Sequence, residues 1–288
     1  MPLSALLLLL FADILHAAWN LLVKGAGDRA AFMWWAMLAA TVGYALVVVP
    51  VTPLPASPAL LVVLLVSGAA EVGYVIALTH GYEHGDLSQV YPVSRGSAPL
   101  FTALGAVWLL GERPSLLASA GIGLIVAGVY LASLPRWQEA ARPIHALRQR
   151  PACLALLAGL CIAAYSLADK VGLTLAPPLA YNLYVFAAMV IGLAPYVWRR
   201  SRRAAVCLEW HRRWRRILIA GAMVVITYAL VLSALAVARA SHVGALRGVS
   251  VIFGAAFGWL LLKEAFGAAR LVAAALMCAG VAALSLAG

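Results

Sequence analysis

Charge is scarce in this sequence. Only 11% of its 288 residues are Asp, Glu, Lys or Arg, whereas ordinary soluble domains carry about a quarter. Acids are the scarcer sign, 10 against 21 Lys and Arg, which leaves a formal net charge of +11. Cysteine is also sparse. Cys153, Cys161, Cys207 and Cys278 show no CxxC pairing and mostly fall in apolar runs, which argues against both a disulfide framework and a metal-ligand cluster. No cofactor-binding motif is visible. No basic residue precedes the first apolar run, Leu6 to Phe11, so that run is expected to persist as a crossing rather than to be a cleaved signal peptide.

What the chain has in abundance is apolar length. Hydrophobic residues make up 65% of it and the mean hydropathy is +0.98. A spanning helix needs roughly 20 apolar residues, so bilayer crossings consume most of the chain. Pro, Gly and charged breaks divide it into ten expected helices, at about 3–24, 30–49, 59–81, 87–110, 115–134, 152–171, 178–198, 217–238, 243–262 and 268–286. The expected fold is therefore all-α and integral to the membrane. A first five-helix unit covers 1–134, a basic connector 135–151 and a second unit 152–288.

An internal repeat supports that division. Pairing Arg95–Ser133 with Arg247–Ser285 without gaps gives twelve identities in 39 positions, among them Arg95/Arg247, Gly96/Gly248, Glu112/Glu264 and Gly128/Gly280. The Arg and Glu matches weigh most because charge is rare here. Helices one and six align at an offset of 146, with Ala17-Ala18-Trp19-Asn20 on Ala163-Ala164-Tyr165-Ser166 and Lys24 on Lys170. Five crossings per unit is an odd number, so ten crossings imply two inverted repeats, an arrangement typical of transporters with a site at the repeat interface.

Twelve of the 21 basic residues lie in two short loops, 135–150 and 199–216. Nucleic acid is not indicated, because these residues share no folded surface domain. Topology control and contact with anionic lipid headgroups explain them. Positive-inside logic places both loops in the cytoplasm and both termini outside.

The candidate chemistry lies inside the apolar runs. Arg95 sits about eight residues into the fourth helix, roughly 12 Å along its axis, where an ionisable group normally faces a cavity or a partner. A guanidinium there suits bidentate capture of a carboxylate or phospho-group. Tyr91 shares its face, Arg247 is its repeat mate, and Glu71 on the third helix is the deepest acid and its natural partner. The bland alternative is a structural Arg95–Glu71 ion pair. Asp13, His16, Asn20 and Lys24 form a polar stripe on the first helix. Asp13, His16 and Glu71 are candidate proton carriers, and Asn20 is a candidate substrate contact for which interhelical hydrogen bonding is the plainer alternative. Trp19, Tyr74 and Tyr165 are candidate cavity aromatics. Glu112 and Glu264 read as helix-end features, and His80 and His242 carry no functional signal.

The two five-helix repeats, the Gly111-Glu112-Arg113 ending of helix four, the glycine-rich fifth helix and the His16-Ala-Ala-Trp-Asn20 stretch resemble the drug/metabolite transporter superfamily, in particular its EamA-type members. That resemblance implies ten helices around a central cavity, with helices five and ten at the periphery, and alternating access. It also implies efflux of amino acids or related metabolites; the expected location is the inner cell membrane, and the expected working unit a monomer or homodimer. In the second repeat the family-like Gly-Glu is replaced by Lys263-Glu264, and many members place both termini in the cytoplasm, opposite to the charge count. The expected substrate is a small anionic or zwitterionic metabolite of the amino acid or organic acid class, with protons as a candidate coupling ion. Two rival readings remain: a multidrug exporter with an aromatic pocket, and an intramembrane enzyme acting on a lipid-linked substrate, for which no nucleophile or metal motif is visible.

Overall fold

Apolar runs in which nearly every backbone amide must be satisfied internally leave a membrane chain little choice but helix. The computed structural model describes residues 3–110, 115–134, 147–199, 203–237, 247–265 and 267–287. Among the described residues there are ten helices and no strand: α1 (Leu3–Lys24), α2 (Arg29–Val48), α3 (Pro58–His84), α4 (Leu87–Leu110), α5 (Leu116–Ser133), α6 (Arg150–Leu175), α7 (Pro178–Val197), α8 (Arg203–Val237), α9 (Ser250–Leu260) and α10 (Gly267–Ala287).

Local chemistry sets several starts. Asp28 caps α2 by accepting the Ala31 N–H at 3.0 Å. Ser57 caps α3 by accepting the Leu60 N–H at 3.2 Å, with Pro58 at the first helical position, where its missing N–H is harmless. Ser115 does the same for α5 through the Ala118 N–H. Within α8 the backbone leaves helical geometry at Arg213, with φ −133°. A basic segment is thereby set off from the apolar run that follows.

Among the described residues eight helices are long and apolar enough to cross a membrane. The α4 residues Ser88, Gln89, Tyr91, Ser94 and Ser97 are buried against other helices, so α4 need not be apolar all round. The helix α9 runs for only 11 residues, Ser250–Leu260, instead of the expected 20 or so from residue 243. A turn at Gly248 and Val249 precedes it, and residues 238–246 lie outside the described residues.

The two sequence halves interdigitate. Helix α5 packs along α10, α3 along α6, α1 and α2 along α8, and α4 on both α6 and α9. Glycine permits the closest approach. A Cβ on Gly121 would stand 2.8 Å from the Gly280 carbonyl oxygen, and one on Gly280 would stand 2.6 Å from that of Gly121. The outer surface is apolar, with Leu7, Phe11, Leu46, Leu65, Leu160 and Val272 among its exposed side chains.

Polar contacts gather one set of helix ends. Glu209 on α8 accepts the Gly27 and Asp28 N–H groups at the α1–α2 turn, at 3.3 and 3.1 Å. Trp34 and Trp35 of α2 meet Trp198 after α7, with ring centroids 5.3 and 6.2 Å apart. Gln89 near the start of α4 donates to the carbonyl of Ser133, the last residue of α5, at 3.2 Å. This end, where α8 carries its arginines, is called the basic end below.

The glycine contacts make a paired prediction. Gly121→Val drives two methyl groups into the α10 backbone and should destabilise the protein by about 1–3 kcal/mol or more. Gly123→Ala, at a position with no neighbour within 4 Å, should be neutral or slightly stabilising. Thermal unfolding in one detergent compares the two. Equal melting temperatures would contradict the close α5–α10 packing.

Candidate functional site

The arginines that stand out in the sequence meet in space. A cavity of about 470 Å³ is lined by Arg95, Pro99 and Thr102 of α4, Ile162 and Ser166 of α6, and Arg247 just before α9. Met277, Cys278, Val281 and Ser285 of α10 form a further wall. Both arginines are half-buried. Their depth follows from the chain path, since α4 enters at the basic end and needs about two turns to reach Arg95. The cavity extends from there away from the basic end, toward Thr102, Ser166 and Ser285.

Among the described residues no carboxylate contacts either guanidinium. The ion pairs between described residues are Arg213–Glu209 and Arg270–Asp86. The alternative of a structural Arg95–Glu71 pair is therefore not realised: Glu71 is half-buried on α3 and acts on Arg95 only at longer range. Asp13 likewise influences both Arg247 and Arg95 without pairing with either. Two cations in a low-dielectric surrounding without contacting acids make this cavity strongly attractive to an anion.

Behind the cavity wall lies a patch of unmet polar atoms. Asp13 is 3% exposed and its Oδ2 has no hydrogen-bond partner; the same holds for His16 Nε2 and Tyr91 Oη. The His16 ring lies 5.1 Å from that of Trp19, edge-on, and 6.0 Å from that of Tyr91. Tyr91 is fully buried, and a Cβ on Gly254 of α9 would collide with its ring. None of these residues is among those lining the cavity.

The remaining candidates separate into other groups. The Tyr74 and Tyr165 rings pair at 6.2 Å between α3 and α6. Trp19 packs on His16 instead of joining them, so the three aromatics do not form one cage. Asn20 is fully used in structure: its Oδ1 accepts from Tyr82 Oη at 2.8 Å, and its Nδ2 donates to the His16 carbonyl at 2.9 Å. Lys24 donates to the carbonyls of Tyr82, at 2.8 Å, and Gly85. The polar stripe on α1 thus divides into an unmet half, Asp13 and His16, and a satisfied half, Asn20 and Lys24.

Sequence reasoning missed α10. The resemblance placed it at the periphery, yet it packs along α5 on one side and walls the cavity on another. The signal was present in Cys278 and Ser285, two small polarisable residues at i and i+7 in an otherwise apolar helix. It also underrated Asp169, which accepts hydrogen bonds from Ser67 at 2.6 Å and Tyr181 at 2.7 Å and so ties α6 to α3 and α7.

A multi-pass membrane protein with a largely apolar cavity between its helices, marked by two arginines, is the class that fold and site define. Family comparison makes it specific. The model of the EamA-like transporter family matches residues 3–134 and again residues 149–286, and the chain belongs to that family; it is a membrane transporter. A comparison with curated proteins gives no match. A solved structure titled only "Crystal structure of protein" is similar in fold, with a TM-score of 0.54 and 16% identity, covering 99% of this chain and 98% of that one.

The Asn20–Tyr82 contact can be tested by a double-mutant cycle. Asn20→Ala leaves a buried tyrosine hydroxyl unmet and should lower stability by about 1–3 kcal/mol. Once Tyr82→Phe is present, the further loss on Asn20→Ala should be smaller. Strictly additive losses would show that the bond contributes nothing.

Proposed function

We propose that this transporter moves a small anionic or zwitterionic metabolite, of the amino acid or organic acid class, by alternating access. The observation that carries the reading is the pair of guanidiniums, Arg95 and Arg247, lining one cavity without a contacting carboxylate. In this reading Arg95 provides the bidentate donor fork and Arg247 adds a second cationic anchor. Tyr91 supports the Arg95 face, and Tyr74 and Tyr165 contribute an apolar wall near Glu71. Trp19 and Asn20 hold the first helix in register and do not touch the substrate. Coupling to protons through Asp13, His16 and Glu71 is favoured by the unmet polar atoms of Asp13 and His16.

All ten helices then cross the inner cell membrane as two inverted five-helix repeats, 1–134 and 152–288, joined by the 135–151 connector. This is consistent with helices whose ends alternate between the basic end and the opposite one. The basic end is cytoplasmic by positive-inside logic, which puts both termini outside, and transport runs as efflux. Anionic lipids contact the exposed Arg203, Arg212, Arg215 and Arg216 beside Trp214. The working unit is a monomer or homodimer. The multidrug reading loses ground because Trp19, Tyr74 and Tyr165 do not close into one cage.

Proteoliposomes test the binding role. Arg95→Ala should abolish transport of the anionic substrate, and Arg95→Lys should leave at most about a tenth of it, because a lysine cannot reproduce the fork. Arg247→Ala should raise the half-saturating concentration by about tenfold. Undiminished transport by folded Arg95→Ala protein would refute the assignment.

A further inference from the structure

The cavity extends from Arg95 away from the basic end, and at the basic end polar contacts tie several elements together. The tie converges on the α3–α4 turn. The Glu264 carboxylate, from the segment between α9 and α10, spans the first two amides of α4: Oε1 accepts the Leu87 N–H at 2.7 Å and Oε2 the Ser88 N–H at 2.8 Å. Arg270 of α10 donates to Asp86 Oδ2 at 2.5 Å and to Ser88 Oγ at 2.9 Å. Lys24 of α1 holds the carbonyls of Tyr82 and Gly85 from the opposite side. Three elements outside the α3–α4 pair thus grip one turn, and two of the three belong to the second half of the chain.

We propose that the Glu264 carboxylate, seated on the N-terminus of α4, is the latch that closes the basic end of the transport path. A helix start offers unpaired N–H groups and a partial positive charge, so a carboxylate from elsewhere in the chain binds it as a cap would. Unlike a cap within one helix, this contact joins parts of the chain that must separate if the basic end is to open. Opening exposes both partners to water, which replaces the lost hydrogen bonds. The latch is therefore strong enough to hold yet able to release.

Local structure is bent to make the contact. Lys263 is the one non-glycine residue with positive φ, 54°, among the described residues. The left-handed turn there carries the chain from the end of α9 back onto α4, with the Glu264 N–H returning to the Gly258 carbonyl at 3.1 Å. Such a conformation disfavours a lysine, and it persists where the surroundings hold it. In the repeat alignment Lys263 falls on Gly111, the residue type that adopts this turn freely. Gly258 completes the fit: a Cβ there would stand 2.7 Å from the Ser88 nitrogen and would also meet the Glu264 carboxylate. A side chain at 258 would wedge the latch off its seat.

The inference rests on alternating access, and its test reads the latch without substrate. A failed anion assignment therefore leaves the test intact. Glu83 and Ala265 are exposed on either side of the latch. Spin labels are attached to Glu83→Cys and Ala265→Cys in the full-length protein, with the exposed native cysteines Cys153 and Cys207 replaced by serine. Pulsed dipolar spectroscopy in nanodiscs then gives the distance between the two turns. Glu264→Gln, which removes the charge and one of the two acceptors, should raise the ratio of long-distance to short-distance populations by on the order of tenfold. Asp86→Asn, at a half-exposed position where folding is less at risk, should raise the same ratio by a smaller factor. An unchanged distance distribution in folded Glu264→Gln protein overturns the proposal. If that variant does not fold, an unchanged distribution in Asp86→Asn overturns it.

Discussion

The structure depends on keeping two guanidiniums inside an apolar bundle. An uncompensated charge in a bilayer interior costs several kcal/mol at the least, so everything around Arg95 and Arg247 has to account for them. The bundle does so without contacting carboxylates. It surrounds the arginines with a cavity, with tyrosines, and with two acids that act from a distance. Charge held in this way is available to a ligand. Had Glu71 closed on Arg95, the same helices would have enclosed a structural ion pair and no site.

The same constraint explains how α4 is packed. A helix that carries a buried arginine cannot also face lipid around its whole circumference. Helix α4 is accordingly enclosed by α5, α6, α9 and α10, and its serines and Gln89 are buried among them. The enclosing helices carry the lipid-facing apolar surface. Site and fold are thus one arrangement: a helix enclosed by its neighbours carries Arg95 to the cavity.

Much of this could be read from the residues. Arg95 and Arg247 were legible because charge is so rare that a repeated arginine cannot pass as composition. The first seven helices were legible to within a few residues, because Pro, Gly and charged breaks separate their apolar runs. Three features were not. Glu264 looked like a generic helix-end acid, because nothing in its neighbours announces that its partner is the start of a helix about 176 residues earlier. Arg270 stands beside an apolar run with nothing local to mark it, although it is 4% exposed and bound to Asp86. The role of α10 was hidden because a mostly apolar wall leaves only faint periodicity. Such relations depend on tertiary geometry, which local spacing does not encode. The counterpart of Glu264, Glu112, lies outside the described residues.

The central claim is that the cavity binds an anion through Arg95 and Arg247. Thermal stabilisation of the purified protein across amino acids, organic acids, phosphonates and organic cations tests it most directly. The account predicts that an anionic or zwitterionic compound raises the melting temperature of the native protein, and that this rise is lost in Arg95→Ala and reduced in Arg247→Ala. Stabilisation by organic cations alone, or an anion effect that persists in Arg95→Ala, would contradict it.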